Sequence, residues 1–406
     1  MPLRMTGTPS DPALLGLPWN IPLEQWPEDL FVALPRGISR HVVRFVRLSG
    51  RVYAVKEVGE RLAGHEYRLL RDLARLDVPA VEAVAVLNGR ADETGQPLDS
   101  ALVTRHLQFS LPYRAVFSGT LRQETLVRLL DALAVLLARL HLAGLYWGDC
   151  SLSNTLFRRD AGAFAAYLVD AETGELHPRI SEGQRAHDIE IAHVNIYGEL
   201  LDLEAGGFLH PSIDPLETSA QVCRRYEALW DELTHAEVVE EVEWHRVEAR
   251  IRRLNALGFD VAEMQIQRKL GTARIIVAPK VVDAGHHQRR LLRLTGLDVE
   301  ENQARRLLND LDTYRATHRR PGDDEEIVAH RWLAEVFQPA VRAVPPDLRR
   351  KLEPAQIFHE VLDHRWYMSE AADRDVGLPT AVRSYVGNVL AHKPDEKAVI
   401  TPDLAE

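Results

Sequence analysis

The chain of 406 residues has little sulfur: two cysteines, Cys150 and Cys223, and four methionines. Two cysteines cannot supply a disulfide framework, and this usage implies a reducing, cytosolic compartment. Long apolar runs are missing too. The most apolar stretch, LLDALAVLLARLHLAGLYW (129–147), is broken by Asp131, Arg139 and His141. It reads as the buried helix of a soluble protein rather than a membrane span. The first thirty residues lack the continuous apolar core of a signal peptide. No motif recurs with a solenoid-like period. Positive charge is not in surplus: the formal net charge is -11. That gives no support to a general nucleic-acid coat, although it leaves room for a local basic patch.

What is present is a globular composition, 46% hydrophobic and 27% charged, in a chain long enough for two or three domains. Residues 1–30, rich in proline and tryptophan, read as an irregular arm. FVALPRG, HVVRFVRLSG and RVYAVKEVG alternate like antiparallel strands, with Ser49-Gly50 as a hairpin turn between the last two. RLAGHEYRLLRDLARL follows with a helical stripe of leucines at 69, 70, 73 and 76. VPAVEAVAVLNGR and SALVTRHLQF read as two more strands. Beyond residue 108 the pattern is mainly helical, with a long helix at about 121–143, a loop, and the short strand AAYLVDAE. Helices near Ile189 and Ser219, then charged helices over 240–257, lead to a strand ARIIVAPKVV and further helices. Asp298 and Glu301 have capping-box spacing. The reading is α+β, with an arm (1–30), a two-lobed domain (31–236, divided at 108/109), a mostly helical C-terminal domain (237–393) and a tail (394–406).

The loop GLYWGDCSLSNTLF carries an acid, Asp149, and an amide five positions on, Asn154. A sheet with an internal lysine, a helix with a glutamate and this loop share one physical use, phosphoryl transfer from ATP. Such a reaction needs charge neutralised and an acceptor hydroxyl held in line. Lys56, in the third strand, can reach phosphates. Glu66 on the following helix is the best partner for it, with Glu57 and Glu60 as rivals. Asp149 would accept or orient the acceptor proton. Asn154 would offer its amide oxygen to Mg²⁺, and Asp170, ending an apolar strand, would bridge Mg²⁺ to the phosphates.

RLHLAGLYWGDCSLSNTLF with AAYLVDAETGEL resembles the His-Gly-Asp-x4-Asn and strand-Asp signatures of the protein-kinase-like superfamily. It is most similar to the aminoglycoside, choline and lipopolysaccharide (Kdo) kinases. The whole chain resembles actinobacterial proteins that join a lipopolysaccharide-kinase-like domain to a C-terminal domain of unknown function. The kinase resemblance spans roughly 30–235 and implies a bilobal fold, with ATP and Mg²⁺ as ligands. It also implies Thr104 as gatekeeper, the backbone of Arg105 and Leu107 at the adenine edge, Gly37 with Ser39 over the phosphates, and Asp188 of HDIEIA as a support for the catalytic loop. Two departures stand out: a single glycine in the phosphate loop, and Trp147 in place of the usual histidine.

Several features have plainer readings. His141 fits a buried brace on the long helix, and Cys150 a small buried neighbour of the loop. In FHEVLDH the histidines stand five apart, about 140° around a helix, so they do not share a metal-binding face. GHHQRRLLRL (285–294) fits a solvated helix face better than a nucleic-acid patch. The sequence thus supports an ATP- and Mg²⁺-dependent kinase for an unidentified hydroxyl acceptor. Its C-terminal domain would select the acceptor, bind a protein partner or regulate. The alternative is a pseudokinase-type module that binds nucleotide as a signal.

Overall fold

The computed structural model describes residues 3–7, 11–32, 34, 41–117, 121–235, 237–240, 249–250, 253–254, 257, 259–260, 263–268, 274–280, 283–318 and 324–396. The chain folds into two compact units. The first comprises 1–157, 166–226 and 400–406, and the second 158–165 and 227–399.

The first unit opens with a five-stranded antiparallel sheet. Its strands are β1 (Arg4–Gly7), β2 (Val42–Leu48), β3 (Arg51–Val58), β4 (Glu82–Asn88) and β5 (Ser100–Arg105), in the order β1-β4-β5-β3-β2. The turn between β2 and β3 has both Ser49 (φ 47°) and Gly50 (φ 79°) left-handed, the combination a two-residue hairpin requires. Helix α1 (Glu60–Arg75) follows β3. The sheet buries both faces. Tyr53 and Val55 of β3 join the arm residues Leu14, Trp19, Leu23 and Trp26 on one side. Val58 and Leu102 meet Ala63 and Tyr67 of α1 on the other. One correction concerns the arm. Residues 4–7 are not irregular but pair with β4 as an edge strand. Four residues without an apolar run carry no strand signal of their own, and the pairing is entirely long-range. The strand expected over 31–37 shows a single bridge, Phe31 to Val46. Positions 33 and 35–40 lie outside the described residues.

Helices α2 (Tyr113–Phe117), α3 (Gln123–Leu142), α4 (Glu182–Ala205) and α5 (Pro215–Thr234, as far as Tyr226) make the helical part of this unit. Short strands β6 (Leu111–Pro112), β7 (Leu145–Tyr146), β8 (Thr155–Asp160), β9 (Ala163–Leu168) and β10 (Glu175–Leu176) position its loops. Helix α3 buries eleven side chains and ends just before Gly144. Gly144 has φ +89°, and a Cβ there would stand 2.0 Å from the His177 carbonyl oxygen, so only glycine lets β7 approach β10. Among the described residues no helix is long and apolar enough to cross a membrane.

The second unit has backbone strands β11 (Glu237–Glu240), β12 (Phe259–Asp260), β13 (Glu263–Arg268), β14 (Arg274–Lys280) and β15 (Asp283–Ala284). Helices α6 (His286–Thr295), α7 (Glu301–His318), α8 (Glu325–Trp332), α9 (Gln338–Arg342), α10 (Pro354–Ala372) and α11 (Leu378–Asn388) follow. Positions 241–248, read as helix from sequence, lie outside the described residues. The helices close over Trp332, Phe337 and Phe358, whose rings pack within 5.2–6.0 Å of one another.

The expected capping box at Asp298 is replaced by two remote carboxylates. Glu301 caps α6, accepting from the His287 and Gln288 amides. Asp160, at the tip of the β8–β9 hairpin, caps α7, accepting from the Asn302 amide (3.2 Å) and the Gln303 amide (2.7 Å). The same tip is held by Arg158, which pairs with Glu300 (2.7 Å) and Glu353 (2.6 Å). Asp160→Ala leaves buried helix-end donors unpartnered and is expected to lower unfolding stability by about 1–3 kcal/mol. Denaturant titration checks this; an unchanged midpoint would show that the cap contributes nothing.

Candidate active site

Strand alternation decides where Lys56 points. It shares a face with Ala54 and Val58, opposite Leu102 in register, and so faces α1. Glu57 points to the other face, where it pairs with Arg90 (2.5 Å) and accepts from the Leu23 amide. Glu60 opens α1 at the surface. Glu66 lies on the buried stripe of α1, between Ala63 and Leu70, at 2% exposure. Its Oε2 accepts from Lys56 Nζ at 3.1 Å.

Two further carboxylates converge on the same ammonium, Asp170 Oδ2 at 2.7 Å and Glu172 Oε2 at 2.8 Å. Burial alone would pull the Lys56 pKa down, but Glu66 and Asp170 outweigh it and hold it above the usual lysine value. Burial pushes the Glu66 carboxyl up, Asp170 adds to this, and Lys56 opposes both. Glu172 also lies 3.1 Å from His41 Nε2.

Across the cavity stands the loop after β7. Asp149 is gripped by two amides. Asn154 Nδ2 donates to Oδ2 (3.1 Å) and Asn195 Nδ2 donates to Oδ1 (3.1 Å). Asn195 also donates to the Cys150 carbonyl. The loop is supported from α4. Asp188, fully buried, accepts from the Trp147 amide (2.7 Å), the Gly148 amide (2.8 Å) and His141 Nε2 (3.1 Å). His141 completes its contacts with the Tyr226 hydroxyl at 2.6 Å. Glu199 accepts from the Leu152 and Ser153 amides. Trp147 is also fully buried, and its indole donates to the Asp170 carbonyl (3.0 Å). The indole at this position therefore ties the two acidic loops together. Cys150 is buried, and burial pushes its thiol well up, which suits packing rather than nucleophilic chemistry.

One cavity of about 870 Å³ is lined by Lys56, Glu66, Thr104, Asp149, Asn154 and Asp170, together with Glu172 and Asn195. Arg105 and Leu107 do not line it: the Arg105 side chain pairs with Glu82, and the Leu107 carbonyl accepts from the Ser110 hydroxyl. Gly37 and Ser39 lie outside the described residues. Glu172 and Asn195 escaped the sequence reading. Glu172 was signalled by Asp-x-Glu after an apolar strand, and Asn195 by its place seven residues, two helical turns, after Asp188. Carboxylate oxygens of Glu66, Asp170 and Glu172 all lie within 4.8 Å of one another, a hard-oxygen set suited to a divalent cation.

Replacing Asp188 by asparagine turns one of its two acceptor oxygens into an NH2 that faces a backbone N–H, of Trp147 or of Gly148. About 3–5 kcal/mol of stability should be lost, the scale for breaking a buried charged hydrogen-bond network. Calorimetry checks it; a melting temperature near wild type would remove Asp188 from its supporting role.

No curated protein matches the chain. Among solved structures, WaaP in complex with acyl carrier protein aligns with 20% identity over 63% of this chain and 99% of its own, with a TM-score of 0.38. Aminoglycoside-3'-phosphotransferase of type VIII aligns with 18% identity over 56% and 93%, with a TM-score of 0.34. Residues 228–390 match a domain of unknown function (DUF4032), and residues 44–196, which contain Lys56, Glu66, Asp149, Asn154 and Asp170, match the lipopolysaccharide kinase (Kdo/WaaP) family.

Proposed function

We propose that the first unit is an ATP- and Mg²⁺-dependent kinase that phosphorylates a hydroxyl of a small molecule, glycan or protein. The observation that carries this reading is the convergence of Lys56, Glu66 and Asp170 on one wall of a cavity whose other wall presents Asp149 and Asn154. The family match over 44–196 supports the same class of reaction.

Electrostatics supports the cation. Lys56 faces three carboxylates, so the wall carries surplus negative charge when all are ionised. A polyphosphate would be repelled there, and a divalent cation reverses the sign. Asp170, Asn154 and Glu172 would hold it. When bound, the ion neutralises charge on the transferring phosphoryl group. Glu66 keeps Lys56 extended toward the cavity. Asp149 is oriented by its two amide donors so that a carboxylate oxygen can take the proton of the acceptor hydroxyl. Thr104, which lines the cavity, would sit at the back of the nucleotide pocket. The second unit would select the acceptor or bind a protein partner.

ATP with Mg²⁺ is expected to raise the melting temperature, and Lys56→Ala or Asp170→Asn to remove most of that rise. Absence of any shift with purine nucleotides would overturn the reading. Asp149→Asn separates binding from transfer. It should keep the nucleotide-induced shift while slow ATP hydrolysis and transfer to the acceptor fall about 10²-fold or more. Hydrolysis and transfer at the wild-type rate in Asp149→Asn would instead show that Asp149 is not the base.

A further inference from the structure

The second unit contains a cavity of about 400 Å³ that the kinase reading does not use. It is a groove between α7 and α10. Arg306, Asn309 and Thr313 line one side, and Arg365, Trp366 and Ser369 the other. On each helix these side chains recur at intervals of three and four, so each helix turns one continuous face to the groove. Such faces normally carry the apolar seam between helices. Here most of the side chains are polar, with Leu362 and Trp366 among them, while other apolar residues of both helices (Leu307, Leu311, Phe358 and Val361) lie in the core.

Leu362, at 9% exposure, belongs to that core, whereas Trp366 does not. Trp366 is 58% exposed as a residue, and Tyr367 beside it 64%. The two rings meet edge-on at 4.8 Å. An exposed indole on the wall of a polar groove offers a flat apolar platform flanked by hydrogen-bonding groups.

Charge narrows the ligand. Arg365 is engaged bidentately by Asp375, at 2.9 and 2.5 Å. Arg306 donates to Asp363 at 2.9 Å. Asp310, on the same wall, accepts from the Trp332 indole at 2.8 Å. The fork of Arg365 holds the Asp375 carboxyl down at about 2, so that pair stays ionised and closed at neutral pH. The two guanidiniums and the two carboxylates that line the groove cancel, so neither an anion nor a cation finds a surplus of opposite charge. What remains are neutral polar groups. Asn309 has an amide able to donate and accept, and Thr313 a hydroxyl that donates to the Asn309 carbonyl at 2.9 Å and can accept through its oxygen. Ser369 has a hydroxyl with two lone pairs, one of which accepts from the Val376 amide. Neutral hydroxyls, which also donate and accept, match these groups. A flat ring with an apolar C–H face and a rim of hydroxyls matches the platform and its surround together.

We propose that the α7–α10 groove binds a neutral saccharide, with one pyranose ring lying on the Trp366 indole and its hydroxyls exchanging hydrogen bonds with Asn309, Thr313, Ser369 and Asp310. This site is separate from the kinase reading, and its test does not involve nucleotide.

The experiment is saturation-transfer NMR on the full chain with the methyl pyranosides of glucose, mannose and galactose, each at about 10 mM, a range suited to weak single-ring binding. At least one pyranoside is expected to receive saturation, strongest on its ring C–H protons. Its affinity should drop about tenfold or more in Trp366→Ala. Trp366 is exposed, so this variant should melt like wild type. If it does not, Asn309→Ala serves as the second probe and should weaken the same signal. Inorganic phosphate should not displace the sugar. No saturation of any of the three, a signal undiminished in the variants, or displacement by phosphate would each overturn the proposal. So would a sugar-silent groove in which Trp366→Ala alters the sedimentation coefficient, since the face would then be a protein contact.

Discussion

A single buried anion, Asp188, organises the helical half of the first unit. An isolated carboxylate out of water costs several kcal/mol, and this one is kept only because three donors close on it. Two of those donors are the backbone amides of Trp147 and Gly148, at a turn where no strand or helix can satisfy them. Gly148 has φ +74°, the left-handed turn that delivers the following residue, Asp149, to the cavity. The third donor is His141, in the last turn of α3. The anion therefore joins the end of one helix, the body of another and the loop between them. The orientation of Asp149 follows from that junction rather than from the loop's own conformational preference. Asn195 and Glu199, further along α4, hold the same loop from the same helix.

The opposite wall works by excess of charge. One ammonium among three carboxylates is a poor neutral cluster but a ready receptor for a cation. Lys56 already spans Glu66 and the Asp170 loop, and the Trp147 indole ties the Asp170 backbone to the Asp149 loop. The histidine usual before Gly-Asp is therefore not simply missing. The larger ring reaches the neighbouring acidic loop with its N–H while filling the space beneath the turn.

Much of this was legible in the chain, for identifiable reasons. The Lys56 strand, the Glu66 helix and the two acidic loops follow from local periodicity, and periodicity alone settles the choice among partners. Alternation sends Glu57 to the opposite face, and the helical stripe carries Glu66, not Glu60, inward. The brace on α4 was written at helical offsets from Asp188, so Asn195 could have been found by extending that face. The edge strand Arg4–Gly7 could not, because four residues with no apolar pattern become a strand only when β4 supplies a ladder. Nor could the caps of α6 and α7, since local capping motifs read only a few residues and these carboxylates come from 14 and 142 residues away.

The hairpin of β8 and β9 begins just after Asn154 and ends just before Asp170, and its tip, 158–165, is counted with the second unit. Each strand therefore has one end in either unit. At the tip, Asp160 completes the N-terminus of α7, Gln356 of α10 accepts from the Ala161 amide, and Arg159 pairs with Glu396. These are obligations of buried backbone and charge, and the second unit needs the tip to meet them. Arg158 and Asp160 both lie on β8, whose other end follows Asn154, and their partners Glu300, Glu353 and the start of α7 come after residue 236. The family boundaries at 196 and 228 thus mark where sequence similarity changes, whereas the physical division runs through the hairpin that connects Asn154 to Asp170.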